Sequence, residues 1–175
     1  MAPKPPKPPR PQGPPLGPRK MYELAEHYSE ASRLLDGQPR GTEWGFFAPK
    51  ILVDSFATEL YLKCLLVLEG RTPPPSHDPE ELFAALTGPT QDDIEGAFNQ
   101  IISSHPVQQL IRLGLFNQAA QKTTDFRRSL KAAKNTFDKR RYLYEPQSTE
   151  EWFHADHLRN AIRAVADTRL QLAGL

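Results

Sequence analysis

FAPKILVDSFATELYLKCLLVL, residues Phe47–Leu68, places apolar side chains on every side of a helical wheel. A helix that is hydrophobic all round is buried all round, so this segment reads as the centre of a helical bundle. Pro49 falls in the first turn, where its missing N–H leaves no bond unmade. Within the run, Asp54, Glu59 and Lys63 interrupt the stretch from Ile51 to Leu68 and argue against a membrane span.

Outward from this segment the pattern stays helical. Before it, Met21, Leu24, Ala25, Tyr28, Ala31 and Leu35 recur at helical spacing up to Asp36-Gly37, and the loop GQPRGTEWG joins the two. After it comes HDPEEL, where Asp78 is an N-cap, Pro79 fits the first helical position and Glu81 stands three residues past the cap. This short helix ends at Thr87-Gly88. A fourth helix is expected from Thr90, with Asp92 and Asp93 in its first turn, stopping before Pro106. A segment at Val107–Leu115, a long helix from Thr123 to Arg141 and a last helix from the S-T-E-E capping box at Ser148 to Leu172 complete the reading. No stretch alternates over strand length, and the fold class is an all-α bundle.

Nine of the eighteen prolines fall in residues 1–18, which predicts a disordered or polyproline II basic tail ahead of a single domain over residues 19–175. Pro5, Pro8 and Arg10 in that tail fit a proline-rich ligand pattern that a protein partner could read, but the tail reads first as a solvated cationic extension. The net charge is +1, but residues 1–20 and 122–145 each carry +5, leaving −9 elsewhere. Cys64 is the only cysteine, which excludes an intrachain disulfide and favours a reducing, cytoplasmic setting. The N-terminus lacks the apolar core of a signal peptide, and no membrane association is expected.

Several groups carry chemistry. In the long helix, Phe126, Leu130, Ala133 and Phe137 form a core stripe; Arg140 and Arg141 flank it, while Arg127, Lys131 and Lys134 turn towards solvent. Two guanidiniums near a core need carboxylate or anionic partners, and Glu145 is close in sequence. Glu59 and Lys63 are spaced for an ion pair on the central helix, although Glu59 could reach Arg140 or Arg141 instead. These residues form either a structural network or a phosphate grip. Arg71 and His77, with five residues between them, read either as a phosphate-steadying arginine with a general-base histidine or as parts of a capping loop behind the stiff Pro73–Pro75 spacer.

Other constellations are incomplete. Glu151, His154 and His157 lie on nearby turns, and Glu23 and Glu26 could add carboxylates, but a second E-x-x-H is missing and Glu151 belongs to the capping box. His27 and His105 read as surface or cap residues; Trp44, Trp152 and Phe153 read as core or interface anchors. No Gly-rich phosphate loop, Ser-His-Asp set or zinc-type cysteine cluster occurs, and no cofactor or metal is expected.

Residues 55–86, SFATELYLKCLLVLEGRTPPPSHDPEELFAAL, resemble the helix–loop–helix of HEPN domains (higher eukaryotes and prokaryotes nucleotide-binding). Glu59 and Lys63 match the family's E-x-x-x-K, Gly70 and Pro75 its loop, and His77 and Asp78 its His-Asp helix start. RRYLYE, Arg140 to Glu145, is similar to the stretch before the family's final helix. Pro79 departs from the leucine common at its position. The resemblance implies an antiparallel HEPN-like helical bundle, often a homodimer, and in catalytic members a metal-independent ribonuclease with R-x(4–6)-H near the start of a late helix. That motif is absent from the late helix here. The combined expectation is a non-catalytic module that associates with nucleotide or RNA, with Arg140 and Arg141 facing the ligand, Tyr142 stacking or hydrogen-bonding, and Glu145 orienting. Two alternatives stay open: a divergent ribonuclease of a toxin or phage-defence system, and a protein-interaction or dimerisation module.

Overall fold

The central segment folds as its wheel predicts. In the computed structural model, which describes residues 16–36, 47–104, 125–134 and 155–175, a helix α2 spans Phe47–Leu68. Its Ala57, Tyr61, Leu62, Cys64, Leu65 and Leu66 are all fully shielded from solvent. Around it lie α1 (Pro18–Asp36), α3 (Pro79–Ala84), α4 (Gly88–Ser104), α5 (Phe126–Lys134) and α6 (Ala155–Leu172). No strand occurs among the described residues.

Pairwise contacts fix the helix directions. Tyr22 meets Tyr61, Tyr28 stacks on Phe56 and Asp36 reaches Lys50, so α1 runs antiparallel to α2. Asp54 pairs with Arg159 near the starts of α2 and α6, and Leu68 and Leu172 share a cleft at their ends. Those two helices are therefore parallel neighbours, a departure from a strictly antiparallel bundle. The chain between them returns to the same end, because α4 runs against α6, with Asp93 on Arg169.

Helix ends follow local chemistry. Asp78 caps α3 by accepting from the Glu80 N–H at 2.9 Å, with Pro79 at the first position as expected. Asp125 caps α5 by accepting from the Arg128 N–H at 2.7 Å. Gly70, at φ 72°, closes α2: its N–H donates to Val67 and the Arg71 N–H to Leu66. That left-handed turn suits glycine, which has no Cβ to clash.

Three boundaries differ from the sequence reading: α3 ends at Ala84, short of the expected Thr87-Gly88, α5 begins at Phe126 rather than Thr123, and the third is the start of α4. α4 begins at Gly88 rather than Thr90, so Asp92 and Asp93 lie beyond its first turn. The carboxylate serving that helix start comes instead from the residue just past α2: Glu69 accepts from the Thr87 N–H at 3.1 Å and its hydroxyl at 2.6 Å. The tail before residue 16, the 107–115 segment, the long helix beyond Lys134 and the capping box at Ser148 lie outside the described residues.

The core joins all six helices. Phe126 of α5 sits 5.0 Å from Phe83 of α3 and 5.4 Å from Phe98 of α4, ring centre to ring centre. Leu158, Ala161, Ile162 and Ala166 of α6 complete it with no exposed surface. Burial of each large apolar side chain contributes about 1.5–3 kcal/mol, which is why the amphipathic helices dock with these faces inward.

Candidate functional site

The run after α2 returns along that helix. Residues 71–78 are non-helical, and they bring His77 back to Glu59, ten residues or about 15 Å of helix before Glu69. His77 donates from Nδ1 to the Glu59 carboxylate, 3.0 Å from each oxygen, while Lys63 donates to the same group at 2.6 Å. Glu59 is nearly buried, at 9% side-chain exposure, whereas the His77 side chain is 72% exposed. α3 then carries the chain back to Glu69, which binds Thr87. Two glutamates, Glu59 within α2 and Glu69 just past its end, thus hold the two ends of one hairpin-like excursion.

Arg71 takes different partners. Its Nη1 donates to the Ala85 carbonyl at 2.5 Å and its Nε lies 3.6 Å from Glu69. The structure therefore engages Arg71 at the Glu69 end and His77 at the Glu59 end. Burial alone would raise the Glu69 carboxyl, but the Thr87 and Thr90 hydrogen bonds and the Arg71 charge outweigh it and hold its pKa below the usual value.

α5 forms a second group. Phe126, Leu130 and Ala133 are buried, and Arg127, Lys131 and Lys134 are exposed, as the stripe predicts; Arg128 is exposed as well. Arg127 pairs with Glu95 of α4 and lies 5.1 Å over the Phe83 ring, a cation–π contact. Lys134 reaches Asp78 at 2.8 Å and Glu80 at 3.3 Å. Hydrogen bonds from Lys134 to Asp78 and then to Glu80 raise the pKa of its ammonium.

Two networks, one buried and one partly exposed, escaped the sequence reading. Asp54 and Arg159 form an ion pair in the core; Lys50 adds a 3.0 Å contact to Asp54, and Asn160 accepts from Arg159. Asp54 is fully buried and Arg159 is 5% exposed. The available signal was a carboxylate inside an apolar helix, which demands a cationic partner, but sequence spacing did not identify it. In the other network, Glu26 accepts from the Tyr61 hydroxyl at 2.6 Å and from two nitrogens of Arg163, at 2.5 and 3.0 Å. Burial raises the Glu26 carboxyl, yet Arg163 and Tyr61 hold it below the usual value. Glu26 is thus engaged in a structural network rather than in a carboxylate cluster.

Arg140, Arg141, Tyr142 and Glu145, together with Glu151 and His154, lie outside the described residues. His157 is buried in α6. Among the described residues no cluster of histidine, cysteine and carboxylate could hold a metal ion, and no helix is long and apolar enough to cross a membrane. A cleft of about 260 Å³ opens where α2, α4 and α6 meet, but its charged lining groups Glu69 and Arg169 are engaged by Thr87 and Asp93. No protein family, curated protein or solved structure gives a significant match to this chain.

Proposed function

We propose that this chain is a HEPN-like helical module that associates with RNA without cleaving it, and that α5 supplies the contact surface. The carrying observation is the division of α5 into a buried face, Phe126, Leu130 and Ala133, and a solvent face with four cations. Core packing fixes the rotation of the helix and so holds Arg127, Arg128, Lys131 and Lys134 outward. Arg127, Lys131 and Lys134 follow one another along a line about 10 Å long, the rise of about three stacked nucleotides at 3.4 Å each. Arg140, Arg141 and Tyr142 follow this helix in sequence. Glu59, Lys63, His77 and Asp78, which carry the family resemblance, lie in one contiguous patch, which supports the HEPN-like reading.

A gel-shift titration with a short oligouridylate tests this. The expected shift weakens as salt rises, and Arg128→Gln/Lys131→Gln weakens it further and flattens the salt dependence by about 0.7 units of log–log slope per residue. Indifference to both would favour a protein-docking module instead.

One observation favours a metal-independent ribonuclease as the second reading: an exposed imidazole, His77, oriented through Nδ1 by the buried Glu59 carboxylate. That is how a general base is held in its working tautomer. RNA cleavage in chelator that disappears in His77→Ala, with helicity retained, would establish this reading; absence of cleavage in the unaltered chain would remove it.

A further inference from the structure

The cations of α5 meet carboxylates at both ends of their line. Arg127, at one end, pairs with Glu95; Lys134, at the other, is held by Asp78 and Glu80. Lys131, between them, makes no ion pair among the described residues and is exposed. The end pairs are wet: side-chain exposure is 63% for Arg127, 49% for Lys134, 37% for Glu80 and 32% for Glu95. Ion pairs this exposed hold weakly, so a phosphate oxygen can take either cation.

The three carboxylates differ in what else they do. Asp78 accepts the Glu80 N–H as the cap of α3 and is 23% exposed, so it belongs to the fold. Glu80 and Glu95 make no capping contact among the described residues, and each lies beside a cation of the solvent face. Arg127 also rests on Phe83, and this contact keeps the guanidinium on the same face when Glu95 loses its charge. Phosphates arriving at Arg127 and Lys134 must displace these carboxylates and then lie next to them, which costs binding twice.

Resting on the RNA-associating reading, we propose that Glu80 and Glu95 compete with RNA phosphates for Lys134 and Arg127. The two carboxylates thereby set both the affinity and the salt concentration at which RNA is released. The RNA is held through its phosphates, because the competing groups are anions and the contact involves charge rather than base edges.

The test is fluorescence anisotropy of a labelled oligouridylate with the full chain, between about 50 and 200 mM salt. Glu80→Gln/Glu95→Gln should bind about tenfold more tightly, the scale of two added phosphate contacts, with a log–log salt slope steeper by about 1.4. A control, Glu23→Gln/Glu30→Gln, makes the same charge change on α1, where these exposed carboxylates pair with Arg19 and Arg33; it should leave binding unchanged. Circular dichroism of each variant establishes equal helicity. Binding that appears only in Glu80→Gln/Glu95→Gln supports the competition in its strongest form. Equal tightening in the α1 control would overturn it, since total charge would then be the cause. Unchanged affinity in Glu80→Gln/Glu95→Gln, with weakening by Lys131→Gln, would overturn the competition and keep the module reading. No binding by any chain at low salt would end both.

Discussion

Glu59 and His77 meet across eighteen residues of sequence, with the His77 Nδ1 at 3.0 Å from each Glu59 oxygen. The carboxylate is nearly buried and the ring mostly exposed, so the two partners contribute unequally. Lys63 holds the same carboxylate at 2.6 Å from within α2. Glu59 is therefore a hub: it neutralises a largely buried ammonium and anchors the return of the chain to α3.

Glu59→Ala should destabilise the fold by about 1.5–3 kcal/mol, because Lys63 keeps its charge and loses its acceptor. His77→Ala should cost under about 1 kcal/mol, since water competes at the exposed ring. Urea denaturation of both variants measures this; equal losses would show that the imidazole, not the ammonium, dominates the cluster.

The Asp54–Arg159 pair lies in the core, with Lys50 and Asn160 attached. Replacing either member alone strands a buried charge and should cost about 3–5 kcal/mol. Asp54→Leu/Arg159→Met removes both charges and should cost much less than the sum of the single changes. A double-mutant cycle in denaturant reads the coupling directly; strict additivity would mean that the two side chains do not depend on one another.

Acid should loosen the bundle through Glu26 and Glu69. Their folded-state pKa values are held below the usual value, Glu26 chiefly by Arg163 and Tyr61 and Glu69 by Thr87 and Thr90, against the opposing effect of burial. A depressed carboxyl stabilises fully above the unfolded value of about 4.3 and loses that contribution as pH falls through the folded value. Glu26→Gln should therefore lower stability at neutral pH while reducing the acid-dependent loss. Stability measured from about pH 7 down to about pH 3 checks both parts.

Cys64 is fully buried, and burial pushes its thiol up to about 12. The thiolate is the reactive form, so alkylation at neutral pH should be very slow in the native chain and fast in denaturant. The rate of iodoacetamide labelling against denaturant concentration reports this, and rapid labelling without denaturant would place the thiol nearer to solvent.

Much of this was legible in residues 47–82. The all-round apolar wheel of α2 placed that helix at the centre, and Asp78-Pro79 located the start of α3 to the residue. The core stripe Phe126, Leu130, Ala133 fixed which face of α5 turns inward. Glu59 with Lys63 was readable because a spacing of four is local. Glu59 with His77 was not, because the length of an extended run does not say where along α2 it lands.

Local periodicity and capping chemistry act over a few residues, and by themselves they determined helix identity, most boundaries and the outward cations of α5. Only the tertiary structure decided that α2 and α6 are parallel, that Arg159 rather than a nearer cation neutralises Asp54, and that Glu69 supplies the start of α4 in place of Asp92 and Asp93. Charge pairing across a bundle depends on helix direction and axial offset. Those quantities are set by packing all the apolar faces together, and no single segment contains them.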